Sequence, residues 1–263
     1  MAARSDPASN DNLLAWSEAG SGDGDALVLL HGFGGSGRSY DPVLGGLDPS
    51  IRVILPDLPG HGRSFASGGS RHPRAAAAAV LATLDRIGCD RFHLGGFSMG
   101  GAVACLLALQ APERVASLTL LAPGGFGPQI AAQTLRDFAA ARSRTELRAA
   151  LSAMFAPGAP IPEAALDCLE EERANAALVA ELVAIAALIT PEMRQGEIPR
   201  EMLGRIACPV QLVWGSADPV LPVTQSEGLA PQFSCRVIEG AGHMLTDEAS
   251  DAVAATLNAA IAG

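Results

Sequence analysis

Ser98 lies in a segment whose residue types and spacing fit nucleophilic catalysis. The segment Gly96-Phe97-Ser98-Met99-Gly100 joins a strand-like apolar run to an apolar helical pattern. A tight strand-to-helix turn of this kind projects the serine hydroxyl above a sheet, and its two glycines prevent steric clashes. Because a serine hydroxyl is a weak nucleophile, the chemistry also needs a histidine base and a carboxylate that orients the histidine. The turn therefore predicts a nucleophile at Ser98.

A histidine and a carboxylate that could activate Ser98 follow it in the expected order. For this kind of turn the chain order is nucleophile, acid, histidine, and each residue follows a strand. His243 lies in GAGHM after the last strand-like run, whereas the other four histidines precede Ser98. Asp218, in WGSADPV after the preceding run, is the predicted acid. Asp247 and Glu239 are nearer to His243 in sequence and are the alternative acids.

Two backbone N–H groups are predicted to stabilise the negative charge that forms when Ser98 attacks a carbonyl group. One belongs to the residue after the nucleophile, which is Met99, and the other to the loop after the first core strand. In that loop, LLHGFGGSGRSY, the predicted donor is Phe33, with Gly34 as the alternative. The glycines of this loop allow its main chain to approach the nucleophile closely.

The same loop also matches a dinucleotide-binding pattern. Gly32, Gly34 and Gly37 form G-x-G-x-x-G after a strand, and Asp57 follows twenty residues beyond Gly37. In dinucleotide-binding folds an acid at this distance bonds the ribose of the cofactor. Such a fold would leave Ser98 and the ordered acid and histidine without a role. We therefore expect no nucleotide cofactor and no metal, since the serine chemistry needs neither.

Strand-like and helical patterns alternate along the chain and place the three polar residues at strand ends. The strand-like runs are continuous and apolar, as expected for a parallel sheet covered on both faces. The alternation predicts an α/β fold with a doubly wound sheet. Strands are predicted at about 26–31, 51–56, 91–97, 117–123, 209–215 and 234–239, with an extra strand at 13–18. Helices are predicted at about 37–47, 73–87, 99–110 and 247–262.

One long segment interrupts this alternation. Between about 125 and 205 the pattern is helical, and a connection of this length indicates an inserted cap over the carboxyl edge of the sheet. The predicted organisation is an α/β core at 1–124 and 206–263 with a helical cap insertion at 125–205. Four cap arginines are expected on a solvated helix surface, with a cationic face for an anionic substrate as the alternative: Arg142, Arg144, Arg148 and Arg173.

Composition excludes several kinds of chemistry and partner. The 263 residues include 18 arginines but no lysine, which rules out a Schiff-base lysine and a lysine-dependent phosphate loop. A net charge of -10 argues against a nucleic-acid partner, because such binding needs cations that neutralise phosphates. No apolar run is long enough for a membrane span, and the N-terminus does not resemble a signal peptide. We expect a cytoplasmic protein with a small-molecule substrate, either a monomer or a homodimer.

Five motifs together resemble the α/β-hydrolase superfamily. LLHGFGGSG, LPDLPGHGRS, GFSMGG, WGSADPV and GAGHM occur in that family's order across nearly the whole chain. The resemblance implies an eight-stranded, mostly parallel sheet flanked by helices, with a helical cap inserted after the sixth strand. It also implies Ser98 as nucleophile, Asp218 as acid and His243 as general base.

The chain also resembles the hydrolase-type domain of dihydrolipoyl acetyltransferase components of acetoin dehydrogenase systems, in LHGFGG, DLPGHG, GFSMGGAVA, APERVASLTLLAPGGFG and ARSRTEL. We expect no lipoyl domain before the hydrolase part, and a chain without lysine offers no residue for lipoylation. The expected activity is therefore hydrolysis of a carboxylic ester or thioester of a small to medium hydrophobic substrate through an acyl-enzyme. A carbon–carbon bond hydrolase or enol-lactonase with the same three residues is one alternative. A non-catalytic ligand-binding module is another.

Overall fold

A mixed sheet lies at the centre of the computed structural model, which describes residues 13–67 and 71–263. Its strands are β1 Trp16–Ala19, β2 Ala26–Leu30, β3 Val53–Pro56, β4 Phe92–Phe97, β5 Val115–Leu121, β6 Val210–Gly215 and β7 Phe233–Ile238. Their spatial order is β1-β3-β2-β4-β5-β6-β7, and β1 runs antiparallel to β3. Every other neighbouring pair is parallel. This topology confirms the predicted doubly wound α/β architecture.

The predicted eight strands and the position of the insertion need correction. The described residues contain seven strands, so the helical insertion follows the fifth strand and not the sixth. Only residues 20–25 join β1 to β2, which is too short a connection for a further strand and its turns. Residues 1–12 lie outside the described part of the chain.

Two of the predicted helices are shorter than expected. The predicted helix at 37–47 is a 3-10 turn at Gly37–Tyr40 followed by one α-helical turn, and two glycines come directly after it. The predicted helix at 247–262 is divided at Ala249, whose φ of -141° is too extended for an α-helix. The α-helices are α1 Asp41–Leu44, α2 Pro73–Arg86, α3 Met99–Gln110, α4 Ala132–Ala140, α5 Arg144–Ser152, α6 Glu163–Arg173, α7 Ala176–Ile189, α8 Arg200–Leu203, α9 Leu245–Glu248 and α10 Ser250–Ala262.

Helices cover both faces of the sheet, as the continuous apolar strands require. Gly95 and Gly96 are neighbours on β4, so they face opposite sides of the sheet. A Cβ atom at Gly95 would lie 3.4 Å from Leu257 of α10, and one at Gly96 would lie 2.5 Å from the carbonyl oxygen of Gly100 in α3. Helices α3 and α10 therefore lie on opposite faces of the central strands.

The insertion between β5 and β6 contains helices α4 to α8. Helix α4 packs against α5 and α7, and α5 also packs against α6. The strongly apolar α7 has 14 residues, which span about 21 Å of the roughly 30 Å thickness of a bilayer core. Across residues 13–67 and 71–263, no helix is both long enough and apolar enough to cross a membrane.

The turn between β4 and α3 brings main chains closer together than any side chain would allow. A Cβ atom at Gly100 would overlap the carbonyl oxygens of Leu30 and His31, at and just beyond the end of β2. Ser98 stands between Gly96 and Gly100 with φ 52° and ψ -116°, a conformation that residues with a side chain rarely adopt. The two glycines thus allow α3 to start directly against the sheet and expose Ser98 at the carboxyl edge.

We predict that Gly100→Ala lowers the free energy of unfolding by about 3 kcal/mol, because overpacking against main-chain atoms cannot be relieved by rotating a side chain. Gly45→Ala is the matched control, since Gly45 has φ -65° and nothing lies within 4 Å of its added Cβ. We expect the control to stay within about 1 kcal/mol of the parent protein. Chemical denaturation of the three proteins measures both effects, and equal stability of the two variants would contradict the prediction.

Candidate active site

The main chain of Ser98 is fixed by four hydrogen bonds. Its N–H donates to Leu121 O at 2.9 Å, and its carbonyl oxygen accepts from Gly101 N and Gly124 N, each at 2.9 Å, and from Ala102 N at 3.3 Å. Backbone conformations of this sparsely populated kind cost about 1 to 3 kcal/mol and persist where the surroundings enforce them. Here the neighbouring strand β5, the first turn of α3 and the loop after β5 supply those bonds.

Ser98, His243 and Asp218 form one chain of hydrogen bonds. His243 Nε2 lies 2.9 Å from Ser98 Oγ, and His243 Nδ1 lies 2.8 Å from Asp218 Oδ2. Because a carboxylate can only accept, it assigns the proton to Nδ1 and leaves Nε2 as the acceptor for the serine hydroxyl. The side chains of His243 and Asp218 are 3% and 0% exposed. The structure therefore brings together all three residues that the sequence singled out, in the predicted connectivity.

Asp218 is held in place by main-chain donors as well as by the imidazole. It follows the end of β6, and its Oδ1 accepts from Val220 N at 2.8 Å and Leu221 N at 2.9 Å. Both carboxylate oxygens are thus hydrogen-bonded although the side chain is fully buried. Such an arrangement fixes the direction from which the carboxylate meets Nδ1 of the histidine.

The two alternative acids do not bond the His243 ring. Glu239 is exposed after the end of β7. The Asp247 carboxylate accepts from the Thr246 hydroxyl at 3.4 Å, and burial raises the pKa of Asp247 to about 6. The hydrogen bond of 2.8 Å to Nδ1 belongs to Asp218, which makes Asp218 the acid that the geometry favours.

The loop that carries His243 is organised by Glu248, a residue that no motif in the sequence indicates. Glu248 Oε2 accepts from Gly242 N at 2.9 Å and from Ala156 N at 2.8 Å, and Oε1 accepts from Met244 N at 3.0 Å. The carboxylate thus bonds the residues on both sides of His243 and one residue of the insertion. Gly242 and Met244 are close to Glu248 in the chain, but Ala156 is 92 residues away and meets the carboxylate only in the folded protein.

The imidazole of His243 also contacts the ring of Phe97, the residue that precedes Ser98. The rings of Phe97 and His243 have centroids 5.1 Å apart at an interplanar angle of 41°. In addition, His243 N donates to Met154 O of the insertion at 3.0 Å. The position of the imidazole therefore depends on β4 and on the insertion as well as on its own loop.

Two cavities meet at Ser98 and share only Phe33 and Leu135 besides it. We call the smaller one, of about 200 Å³, the His243 cavity, and the larger one, of about 520 Å³, the α3 cavity. Besides the shared residues, the His243 cavity is lined among others by Ser36, Leu151, Ala165, Glu172 and His243. The α3 cavity is lined among others by Met99, Ala102, Leu106, Ile130, Ile198 and Met202.

Both predicted oxyanion donors border Ser98. A Cβ atom at Gly32 would lie 2.9 Å from the Phe97 ring and 3.4 Å from Ser98 Cβ, so this loop lies directly against the turn that carries the serine. Phe33 follows Gly32 and lines both cavities. Met99 is the first residue of α3, so its N–H has no acceptor within the helix.

Gly34, the alternative donor, has a different environment. Its φ is 74°, and an added Cβ would lie 2.5 Å from the Phe138 ring and 3.2 Å from Arg173 Nη2. Gly34 faces the insertion and is absent from the lining of the two cavities, whereas Phe33 lines both. This placement favours Phe33 over Gly34 as the second donor.

The residues that matched a dinucleotide-binding pattern are engaged inside the protein. Asp57 is 2% exposed, its Oδ1 accepts from Gly37 N at 2.9 Å, and its Oδ2 accepts from Arg63 N and Nε at 3.0 and 2.9 Å. An acid held in this way ties two loops together and is not available to a ribose. Across residues 13–67 and 71–263, no three His, Cys, Asp or Glu side chains are grouped as a metal ion would require.

The four cap arginines do not line the two cavities at Ser98. Arg144 bonds Glu163, Asp167 and Glu170, and Arg148 also bonds Glu163, all on the partly exposed surface of the insertion. Arg173 is buried, lies 5.1 Å from the Phe138 ring centroid and donates from Nη2 to Gly34 O at 3.3 Å. The geometry of these described residues does not favour a cationic face for an anionic substrate.

Two buried histidines support the loop of Phe33. His31 donates from Nδ1 to Gly32 O at 2.8 Å and accepts from Leu58 N at Nε2, 2.9 Å away. His61 lies against the Phe33 ring and has Nδ1 3.1 Å from Pro59 O. Burial lowers the pKa of His31, and burial together with the neighbouring His31 lowers the pKa of His61 well below its ordinary 6.5.

Comparison with known proteins assigns the chain to a class. A family described as "Alpha/beta hydrolase family" matches residues 27–256, and the protein therefore belongs to the α/β hydrolases. The dihydrolipoyllysine-residue acetyltransferase component of the acetoin cleaving system of Pseudomonas putida is 36% identical over 92% of this chain and 64% of that protein. This similarity confirms the resemblance to the hydrolase-type domain of such components. The chain spans less than two thirds of the length of this relative.

Two further proteins resemble this chain, one in sequence and one in structure. The 2-hydroxy-6-oxo-6-phenylhexa-2,4-dienoate hydrolase of Comamonas testosteroni is 37% identical over 45% of this chain and 42% of that protein. Among solved structures, a bacterial membrane phospholipase A superposes with a TM-score of 0.81 and 28% identity over 95% of this chain and 82% of that chain. Both similarities agree with the α/β-hydrolase fold.

We predict that His61 makes the protein less stable in mild acid. The folded-state pKa of His61 lies below its ordinary 6.5, so the unfolded chain gains a proton that the folded chain lacks as pH falls through 6.5. Stability from this residue is therefore complete above pH 6.5 and decreases below it. Between pH 7 and 5.5 the parent should lose about 1 kcal/mol more than His61→Gln. Denaturation at both pH values measures this, and equal losses would show that folded His61 accepts a proton.

Proposed function

We propose that the protein is a serine hydrolase of carboxylic esters that works through an acyl-enzyme. The observation that carries this proposal is the hydrogen-bonded chain from Asp218 through His243 to Ser98, with Ser98 at the junction of two cavities. A neutral imidazole with its acceptor nitrogen 2.9 Å from a serine hydroxyl is arranged to remove the hydroxyl proton.

In the acylation step, Ser98 Oγ attacks the carbonyl carbon while His243 Nε2 takes the hydroxyl proton. The carbonyl oxygen becomes an oxyanion that accepts hydrogen bonds from Phe33 N–H and Met99 N–H. Each donor of this kind contributes about 3 to 4 kcal/mol to the stability of the transition state. When the ester C–O bond breaks, His243 returns its proton to the leaving oxygen, which departs as an alcohol.

In the deacylation step, a water molecule takes the place of the alcohol. His243 removes one proton from the water as its oxygen attacks the acyl carbon, and the same two N–H groups hold the second oxyanion. The bond to Ser98 Oγ then breaks, the proton passes to that oxygen, and a carboxylic acid is released. Asp218 stabilises the imidazolium in both steps, and it keeps its own negative charge throughout. These steps use no metal or organic cofactor.

Hydrolysis of a carbon–carbon bond is a second candidate. It is favoured by the 37% identity with the hydrolase of Comamonas testosteroni, although that match extends over only 45% of the chain. The phospholipase A with the same fold, at 28% identity over 95% of the chain, supports ester hydrolysis. A panel of esters, thioesters, lactones and one vinylogous 1,5-diketone acid separates these candidates by their kcat/KM values.

We predict that Ser98→Ala lowers kcat for p-nitrophenyl butanoate by at least about 10⁴-fold while the circular dichroism spectrum is retained. Ser152→Ala is the matched control, because Ser152 is exposed at the end of α5. A fluorophosphonate probe should label the parent at Ser98, as judged by mass spectrometry of peptides. Undiminished turnover by Ser98→Ala would exclude this nucleophile. Absence of both labelling and turnover in the parent would favour a non-catalytic ligand-binding module.

We predict that Asp218→Asn lowers kcat by about 10³- to 10⁴-fold, because an amide in place of the carboxylate favours the wrong imidazole tautomer. Asp247→Asn removes the neighbouring buried carboxylate and should change kcat by less than about tenfold, since Asp247 does not bond the ring. Steady-state kinetics on one activated ester compares the two variants. The reverse order of effects would make Asp247 the functional acid.

A further inference from the structure

The two cavities at Ser98 differ in which part of the catalytic machinery they contain. His243 lines the His243 cavity and not the α3 cavity, whereas Met99 lines the α3 cavity and not the His243 cavity. Ser98 and Phe33 line both. A substrate bound at Ser98 therefore places its two sides in two different cavities.

The position of His243 decides which side of an ester enters which cavity. The leaving oxygen receives its proton from His243 Nε2, so that oxygen must come within hydrogen-bonding distance of Nε2. The alcohol therefore leaves through the His243 cavity. With the oxyanion held between Phe33 N–H and Met99 N–H, the remaining substituent of the tetrahedral carbon is the acyl chain. The acyl chain then points into the α3 cavity.

The His243 cavity is the smaller of the two. Its volume is about 200 Å³. Apolar residues such as Phe138, Leu151 and Met154 line it together with polar ones such as Ser36 and Glu172. Its small volume, rather than the polarity of its wall, limits which alcohol can enter.

The α3 cavity is the larger of the two. Its volume is about 520 Å³, and Ala102, Leu106, Ile198 and Met202 form apolar parts of its wall. His72, Arg74, Gln195 and Glu197 also line it. Its larger volume and these apolar residues suit an extended acyl chain.

We propose that the substrate is an ester of an extended apolar carboxylic acid with a small alcohol. The acyl chain occupies the α3 cavity and the alcohol occupies the His243 cavity. This inference rests on the proposed ester hydrolysis, and it adds the relative sizes of the two sides of the bond that is cleaved.

Two isomeric esters test the assignment directly. Glycerol mono-octanoate carries the apolar chain on the acyl side, and octyl 2,3-dihydroxypropanoate carries the same groups on opposite sides of the ester bond. The α-hydroxyl group makes the second ester intrinsically more reactive, so intrinsic reactivity opposes the expected result. We expect kcat/KM to be at least about tenfold higher for glycerol mono-octanoate. A preference for octyl 2,3-dihydroxypropanoate would overturn the inference.

Two alanine-to-leucine variants fill one cavity each. Ala102→Leu should lower the ratio of kcat/KM for glycerol mono-octanoate to that for glycerol monoacetate by about tenfold, because it shortens the acyl cavity. Ala165→Leu should leave this acyl ratio as in the parent. It should lower the ratio of kcat/KM for glycerol mono-octanoate to that for methyl octanoate, because it narrows the His243 cavity. If Ala165→Leu changes the acyl ratio and Ala102→Leu does not, the assignment of the cavities is wrong.

Failure of the inference can be told apart from failure of the proposed function. Turnover of esters together with fluorophosphonate labelling of Ser98, but with the reversed preference, would refute the cavity assignment alone. Absence of turnover on all four esters together with absence of labelling would refute ester hydrolysis, and the assignment of the cavities with it.

Discussion

The close approach of α3 to the ends of β2 and β4 is the constraint on which the rest of the site depends. Gly96 and Gly100 leave no room for a side chain where these main chains meet, and this contact holds Ser98 at φ 52°. The same contact sets the start of α3, and hence the N–H of Met99, relative to the loop of Phe33. The proposed nucleophile and the proposed oxyanion donors are therefore parts of one junction, and a shift of α3 would displace all of them together.

His243 depends on a second, longer-range set of contacts. Glu248 bonds the main chain on both sides of His243 and also bonds Ala156 N, while His243 N bonds Met154 O. The insertion is thus more than a cover over the sheet edge, because two of its residues help to position the imidazole. A change in the insertion could alter catalysis by moving His243 without touching the substrate.

The sequence predicted what depends on local chemistry and missed what depends on distant contacts. The turn at Ser98 and the strand-end positions of Asp218 and His243 could be predicted because each has a local signature. Glu248 could not, because one of its donors, Ala156 N, lies 92 residues away in the chain, and no local pattern marks the other two. The strand count was wrong because it came from the resemblance, whereas the patterns in the chain itself had indicated the seven strands that the structure describes.

Arg173 links the insertion to the loop of the proposed oxyanion donor. Burial lowers the pKa of Arg173 to about 10, and its Nε and Nη1 have no hydrogen-bond partner among the described residues. The guanidinium instead lies on the Phe138 ring and bonds Gly34 O, next to Phe33. Removing a charged group from water is costly. The contact with the Phe138 ring and the hydrogen bond to Gly34 O offset this cost only in part. Phe138 belongs to α4 and Arg173 to α6, and residues of both helices line the His243 cavity. The two helices therefore determine both the size of that cavity and the position of the loop that carries Phe33.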